Sequence, residues 1–264
     1  HTKDTQENTT PRMALEILKE GNNRFLKNYK ENRNLLQQVN DTRDGQWPFA
    51  TILSCIDSRT SAELIFDQGL GDIFSVRIAG NIVNTDILGS MEFACKVAGS
   101  KLIVVLGHTK CGAVKGACDH VEMGNLTELL SKLQPAVYQE KETKNERNSS
   151  NYKFVENVAE INVKRSVVNI IERSFILEQM VENGEIGGVG RCHVLLADAA
   201  GLVLEAGFDG PGCLLHCRRV APLLGFEEAL VVFDGKLGVD RQPDGDAVVP
   251  AGQADGDNDP LAAA

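Results

Sequence analysis

Two uninterrupted apolar runs stand out in the pattern of hydrophobic and polar positions along the chain. Residues 50–54 (Ala-Thr-Ile-Leu-Ser) and 101–107 (Lys-Leu-Ile-Val-Val-Leu-Gly) have the length and the apolar content of strands that are buried on both faces. A shorter run occupies residues 72–77, and apolar residues at helical spacing follow at 62–66 and 85–98. Because strands and helices alternate, we predict an α/β fold with a central, mostly parallel β-sheet flanked by helices.

The chain on either side of this alternating region is predicted to be mainly helical. Thr10-Pro11 is typical of a helix start, with a capping side chain followed by proline at the first helical position. The helix has few apolar residues, so we expect it to have little core of its own and to pack across a partner subunit as an arm. The preceding residues, 1–10, are polar and are expected to be disordered. Further helices are predicted at 126–138, 154–171 and 175–181, and a further strand at 185–190.

Polar side chains with metal-binding chemistry follow the two long apolar runs. Cys55 comes directly after the first run, and His108 and Cys111 come directly after the second. Because the carboxyl ends of parallel strands meet at one edge of a sheet, we expect these side chains to lie close together. Cysteine thiolate and histidine nitrogen are common zinc ligands, and three protein ligands leave a fourth position open, as in catalytic zinc sites. The sequence therefore predicts a zinc site formed by Cys55, His108 and Cys111.

A carboxylate and a guanidinium accompany the first cysteine. Asp57 is close enough to Cys55 in sequence to reach the fourth zinc position, whereas Arg59 can draw it away as a bidentate partner. We therefore interpret the two residues as a switch. Water can occupy the zinc when Asp57 is held by Arg59, and the site is closed when Asp57 ligates the zinc.

Composition and charge narrow the class of protein. The chain has 264 residues and a net charge of −10, which argues against a nucleic-acid partner. No apolar run approaches the length of a membrane span and no hydrophobic signal segment is found, so we expect no membrane partner and a cytoplasmic location. Seven cysteines cannot form a complete set of disulfides, and cysteines near histidine in such a compartment favour metal binding or catalysis.

The motifs together resemble the paired signature of the β-class carbonic anhydrases. The likeness rests on residues 55–59 (Cys-Ile-Asp-Ser-Arg) and 108–112 (His-Thr-Lys-Cys-Gly), extends through 77–81 (Arg-Ile-Ala-Gly-Asn), and covers roughly residues 11–190. The resemblance implies a zinc-dependent enzyme that reversibly hydrates CO2 to bicarbonate and a proton by way of zinc-bound hydroxide. It also implies a homodimer or a tetramer.

The resemblance assigns further roles to individual residues. It implies that Cys55, His108 and Cys111 bind zinc and that Asp57 and Arg59 form a catalytic dyad. It also implies three substrate-binding residues, which are Gln46, Phe74 and Gly112. In some members of the family the glutamine reaches the pocket of the neighbouring subunit, the phenylalanine forms an apolar pocket wall, and the glycine supplies a backbone donor near the zinc.

Other functions are weaker matches to the chain. A carbonyl sulfide or carbon disulfide hydrolase on the same fold is the nearest alternative, and a non-catalytic zinc protein is the next. A phosphate-binding P-loop is not supported, because Ala113 and Val114 stand where its Lys and Ser/Thr are required. A second cysteine and histidine cluster has no zinc-finger spacing that supports a metal site; it comprises Cys192, His193, Cys213, His216 and Cys217.

Four other residues receive structural interpretations. Arg77 is expected to tie loops together at a dimer interface, and Cys95 to lie in the core. Phe93, on the same predicted helix as Cys95, is expected to face inward, and His120 to be a solvated surface histidine.

The predicted domain organisation has three parts. Residues 1–49 form an N-terminal helical arm and 50–206 a zinc-binding α/β catalytic domain, which includes a hairpin of 193–198 with 202–206. Residues 207–264 form an atypical C-terminal extension, rich in Gly, Ala, Asp and Pro, that contains a possible strand at 230–233 and is partly disordered.

Overall fold

A four-stranded, fully parallel sheet forms the centre of the protein, which we describe from a computed structural model over residues 1–193. The strand order is β2-β1-β3-β4, so β1 and β3, which carry the predicted ligands, are hydrogen-bonded neighbours. The predicted parallel α/β architecture is confirmed. The strands are β1 (Ala50–Ser54), β2 (Ile73–Arg77), β3 (Leu102–His108) and β4 (Gly187–His193).

Helices cover both faces of the sheet, and several of them begin at a residue whose side chain caps the first turn. Thr10, Asn84, Asn151 and Ser174 each accept a hydrogen bond from a backbone N–H in the first turn of the helix that follows. The helices are α1 (Lys3–Glu7), α2 (Pro11–Leu26), α3 (Leu35–Asp41), α4 (Ala62–Ile65), α5 (Thr85–Glu92), α6 (Gly112–Cys118), α7 (Gly124–Ser131), α8 (Gln134–Gln139), α9 (Tyr152–Glu172) and α10 (Phe175–Glu182). A 3-10 turn at Ala79–Asn81 follows β2, and a π-helical turn at Phe93–Val97 extends α5.

Alternation along β1 and β3 divides the core into two layers. Ile52 and Val104 face α2 and α4, whereas Leu53 and Val105 face α5, α9 and α10. All residues of both strands are buried, which explains why the two sequence runs are apolar without interruption. A third cluster, formed mainly by α6 to α9, includes Cys55, Cys111 and Phe154 and lies beneath the predicted metal site.

The N-terminal segment is more ordered than its polarity suggested. The prediction of disorder for residues 1–10 is wrong, because Thr2 and Thr5 form a capping box that starts α1. Gln6 then anchors α1 to the body of the protein by donating to the carbonyl oxygens of Pro48 at 2.7 Å and Ala98 at 2.8 Å. Helix α2 also has core contacts within its own chain, through Ala14, Leu15 and Leu18.

Two helix predictions need correction. Residues 126–138 form two helices rather than one, because Pro135 lies in the first turn of α8 and has no N–H to continue α7. Phe93 is 54% exposed and does not face the core, although Cys95, two residues later, is buried as expected. His120 is exposed, as predicted.

Some predictions fall outside the described residues. These are the hairpin of 193–198 with 202–206, apart from its first residue, the strand at 230–233 and the extension at 207–264. The cluster of Cys192 with four later residues also lies mainly outside. Among the helices at 1–193, none combines the length and the apolar character that crossing a bilayer requires.

A buried carboxylate ties the N-terminal segment to the turn after α4, and it predicts that stability is sensitive to acid. Asp67 is 5% exposed and accepts hydrogen bonds from Arg24 at 2.5 Å and Arg33 at 2.6 Å. Burial raises the pKa of Asp67, but these donors and a backbone N–H outweigh it and the pKa is lowered. Because the unfolded chain then binds more protons than the folded one, stability is lost as the pH falls below about 4, the ordinary aspartate value, through the folded pKa.

We expect Asp67→Asn to lower the free energy of unfolding at neutral pH and to flatten its decline in acid. Asparagine suits the position sterically, because Asp67 has a left-handed φ of 44°. Urea unfolding of the variant and its parent between about pH 6 and pH 3 measures the difference. A constant difference across that range would exclude a titrating contribution from Asp67.

Candidate metal centre

The carboxyl edge of the sheet brings three metal-binding side chains together. Cys55 follows β1, His108 is the last residue of β3, and Cys111 precedes α6. Their ligand atoms lie within 4.8 Å of one another, and all three residues are buried. The pairing of Ser54 with Leu106 sets this register, since it brings both strands to the same edge two residues before His108.

The imidazole is fixed in the orientation that a metal ligand needs. His108 Nδ1 lies 2.9 Å from the carbonyl oxygen of Thr109, which can only accept, so Nδ1 carries the proton. The lone pair is therefore on Nε2, which is buried and has no hydrogen-bond partner among the described residues. Nε2 is therefore a buried nitrogen with an available lone pair, and it lies close to two thiols. Such an atom is a suitable ligand for a zinc ion.

The two sulfurs also fit a single zinc ion. Cys55 Sγ and Cys111 Sγ are 3.9 Å apart, and two thiolates at about 2.3 Å from one tetrahedral ion would be separated by about 3.8 Å. The hydrogen bond between them lowers the pKa of Cys55 and raises the pKa of Cys111, so one thiol ionises easily even without a cation. A divalent cation would stabilise both thiolates. The donor set, its spacing and the unpartnered nitrogen therefore fit zinc.

A bidentate ion pair lies beside this group. Arg59 donates from Nε to Asp57 Oδ1 at 2.9 Å and from Nη2 to Oδ2 at 2.7 Å, and its backbone N–H also reaches Oδ1. These bonds lower the pKa of Asp57 to about 2, so its carboxylate is ionised at neutral pH. Asp57 Oδ2 is also 4.0 Å from His108 Nε2, which places the carboxylate next to the metal-binding face of the imidazole.

Arg77 fixes the backbone between the first ligand and the ion pair. It donates to the carbonyl oxygen of Cys55 at 2.9 Å and to that of Asp57 at 2.5 Å. The role of Arg77 in tying loops together is therefore observed within one chain, and its proposed place at a dimer interface stays a prediction.

Gly80 supplies a backbone donor to the first ligand. Its N–H lies 3.4 Å from Cys55 Sγ, where it stabilises a thiolate. The residue has a left-handed φ of 67°, and a Cβ there would lie 2.9 Å from Leu133 and 3.2 Å from Ala113. Glycine is thus required both for the backbone conformation and for the close approach.

We expect Gly80→Ala to destabilise the protein by about 1–3 kcal/mol, because the new methyl group is both strained and overpacked. The variant should also bind zinc less tightly, since the displaced Gly80 N–H no longer stabilises the Cys55 thiolate. Thermal unfolding and chelator competition measure the two effects. Gly89→Ala is the control, because a Cβ at Gly89 meets nothing within 4 Å. Equal behaviour of the two variants would contradict this account.

The residues that the resemblance assigned to substrate lie in three different places. Gly112 begins α6 immediately after Cys111. Gln46 is exposed and precedes β1, whose five residues span about 16 Å, so it lies at the opposite end of that strand from Cys55. Phe74 is half-buried on β2, where it pairs with Thr51. Within one chain, only Gly112 of these three adjoins the ligand group.

Several supporting contacts have no signal in the sequence. Glu156, on α9, accepts a hydrogen bond from the Lys110 N–H at 3.0 Å. Asn162, on the same helix, donates to the Gly80 carbonyl oxygen at 2.9 Å. Each pairing joins residues far apart in the chain, so no spacing rule points to it. The Gly80 donor lies within a recognised motif, but its sulfur partner is visible only in the structure.

The fold and the ligand group define the class of protein, a zinc protein built on a parallel α/β sheet. A family model described as carbonic anhydrase matches residues 50–195. Carbonic anhydrase 2 of Mycobacterium tuberculosis is 36% identical over 196 residues, which cover 71% of this chain and 90% of that protein. The chain belongs to the carbonic anhydrase family.

Solved structures agree with the β class that the motifs resemble. The β-carbonic anhydrase CafA of Aspergillus fumigatus is 25% identical, with a TM-score of 0.55 over 71% of this chain and 88% of its own. A Coccomyxa β-carbonic anhydrase is similar in fold, with a TM-score of 0.59 at 20% identity over 72% of this chain and 90% of its own.

Proposed function

We propose that the protein is a zinc-dependent carbonate dehydratase that reversibly hydrates CO2 to bicarbonate and a proton. The observation that carries the proposal is the buried Cys55–His108–Cys111 group with the Asp57–Arg59 pair beside it. The family membership of the chain supports the same activity. Three ligands, rather than four, suit a catalytic site with room for water or substrate.

The residues around the ligand group have separable tasks. Bound zinc would act as a Lewis acid that acidifies water at neutral pH. Arg59 holds the Asp57 carboxylate ionised and oriented, so Asp57 can accept a hydrogen bond from the attacking water and direct its lone pair. Arg77 and Gly80 keep Cys55 in place as charge changes in the site. Gly112 adjoins Cys111 and would offer its backbone N–H to substrate oxygen.

Two assays separate this activity from its nearest alternatives. Stopped-flow hydration of CO2 with a pH indicator is expected to show fast turnover by the zinc-loaded protein, and sulfide release from carbonyl sulfide or carbon disulfide is expected to be slow. The reverse result would establish the sulfide-releasing hydrolase. Stoichiometric zinc with neither activity would establish the non-catalytic zinc protein.

We also propose that the protein functions as a homodimer, or as a tetramer built from dimers, through the free edge of β2. This strand is at the end of the strand order in the described sheet. A groove of about 840 Å³ runs along it, lined among others by Phe74, Arg77 and Phe93. Phe93, one of the lining residues, is 54% exposed, which suits burial against a second copy. Such an interface would bring Phe74, which lines the groove, to a subunit boundary.

Light scattering after size-exclusion chromatography tests the assembly. Phe93→Glu is expected to raise the fraction of monomer, because it places a charge in an apolar interface. Phe175→Glu is the matched control, since Phe175 is 70% exposed at the start of α10, where an acidic residue is tolerated. A parent protein that is monomeric at all concentrations would refute the proposal.

We further propose that the protein works in the cytoplasm. The described cysteines Cys55, Cys95, Cys111 and Cys118 are all free thiols, and the ligand pair must stay reduced to bind zinc. Fractionation of source cells tests the location. Recovery in an oxidising compartment would refute it.

A further inference from the structure

The turn that carries two of the three ligands has an unusual backbone. Strand β3 ends at His108 and α6 begins at Gly112, so residues 109–111 belong to neither element. Lys110, in the middle of this turn, has a left-handed φ of 56°. A lysine in this region costs about 1 kcal/mol or more, so surrounding contacts must hold it there.

One of those contacts comes from α9. The Lys110 N–H donates to Glu156 Oε1 at 3.0 Å, and the side chain of Glu156 is only partly exposed. Tyr152, one helical turn before Glu156, interacts with the side chain of Thr109. Two residues on one face of α9 therefore contact two successive residues of the turn at 109–111.

The same helix also holds the other half of the site. Asn162 donates to the Gly80 carbonyl oxygen at 2.9 Å, and Ser166 donates to that of Asn81 at 3.2 Å. These bonds fix the loop whose N–H reaches Cys55. Helix α9 thus holds both the turn between His108 and Cys111 and the loop that donates to Cys55, and Glu156 is its contact with the turn.

We infer that Glu156 is a positioning residue for zinc: by accepting from Lys110 N–H, it holds His108 and Cys111 at the spacing that one ion requires. Without this acceptor, the Lys110 backbone relaxes towards negative φ, and the peptide planes on either side of it rotate. The rotation moves Cys111 relative to His108. This role rests on the proposed zinc function and extends it to a residue that belongs neither to the ligand group nor to the ion pair.

The acceptor atom, rather than the negative charge, should be what matters. Burial raises the pKa of Glu156, so a neutral side chain with an oxygen acceptor suits the position. Glutamine keeps an oxygen at the same place, so Glu156→Gln should preserve the bond to Lys110. Alanine removes it. Glu160, also on α9 and exposed, provides a matched loss of charge at a position with no hydrogen bond to the turn among the described residues.

The experiment compares zinc affinity in Glu156→Ala, Glu156→Gln and Glu160→Ala by chelator competition. We expect Glu156→Ala to bind zinc about 10–100-fold more weakly, as is typical when a partner behind the ligands is lost. The zinc affinities of Glu156→Gln and Glu160→Ala should stay within about threefold of the affinity of the parent. The visible spectrum of the cobalt-substituted proteins should change in Glu156→Ala alone, since it reports the geometry of thiolate and imidazole ligands.

Several outcomes would overturn the inference. Parental zinc affinity and a parental cobalt spectrum in Glu156→Ala would show that Lys110 does not need the contact. A defect in Glu156→Gln as large as that in Glu156→Ala would show that charge, rather than position, is the cause. Thermal unfolding of the metal-free variants identifies a general loss of stability, which would lower affinity without altering the cobalt spectrum. Because the readouts are affinity and spectrum, they hold even if the parent hydrates no CO2, a result that would instead refute the proposed function.

Discussion

Cys111→Ser is expected to lose both zinc and CO2 hydration, with activity falling to the uncatalysed background. Serine keeps the size of the side chain, but its hydroxyl does not ionise at neutral pH and is a poor zinc ligand. The loss of affinity should exceed the roughly 10–100-fold typical of residues behind the ligands, because a bond to the ion itself is removed. Metal analysis of the purified variant and stopped-flow hydration assays measure the two losses.

A second buried cysteine provides the control for this variant. Cys118 lies on α6, seven residues after Cys111, and burial raises its pKa to about 12. Cys118→Ala should therefore keep zinc and activity while losing some stability through the small cavity that it leaves. Zinc retained at parental affinity in Cys111→Ser, or zinc lost in Cys118→Ala, would contradict the assignment of the ligands.

Asp57→Ala is expected to keep its zinc and to lower kcat for CO2 hydration by about 10²–10⁴-fold, the usual contribution of a proton-accepting side chain. The carboxylate lies beside His108 but outside the ligand group, so its removal leaves the three donors in place. It also leaves Arg59 without its bidentate partner. Metal content and hydration rate, measured on the same sample, separate the two functions.

Another aspartate–arginine pair tests whether the loss of activity in Asp57→Ala depends on the position of the pair beside the metal centre. Asp44 accepts from Arg43 at 3.0 and 2.8 Å in the same bidentate manner, but both residues are exposed to solvent on the surface. Asp44→Ala should be neutral, because exposed pairs contribute little. If Asp57→Ala hydrates CO2 as fast as its parent, the ion pair has no part in the reaction.

The strands and the ligands were predictable because local sequence fixes both. An apolar run buried on two faces has few alternatives to a parallel strand, and the polar residues that follow it must emerge at the sheet's carboxyl edge. The three candidate metal ligands were predicted in this way, and the structure brings them together because β1 and β3 are adjacent in the strand order.

The contacts that refine the site were beyond sequence reasoning. Glu156 and Lys110 are 46 residues apart, and neither residue is unusual in its own segment. The ordered conformation of the first ten residues likewise depends on the hydrogen bonds that Gln6 donates to two carbonyl oxygens far away in the chain. Phe93 was misplaced because the buried positions keep the helical period from Ile87 to Cys95, and this period puts Phe93 on the opposite, exposed face.

The pairing of β1 with β3 has a consequence for biosynthesis. The two strands are adjacent in the sheet, yet a complete crossover containing β2 and α5 separates them in the chain. An emerging polypeptide therefore offers no full ligand set until that crossover has closed, and long-range parallel pairing of this kind is slow. We therefore expect the complete zinc site to form late in maturation, once the sheet has assembled.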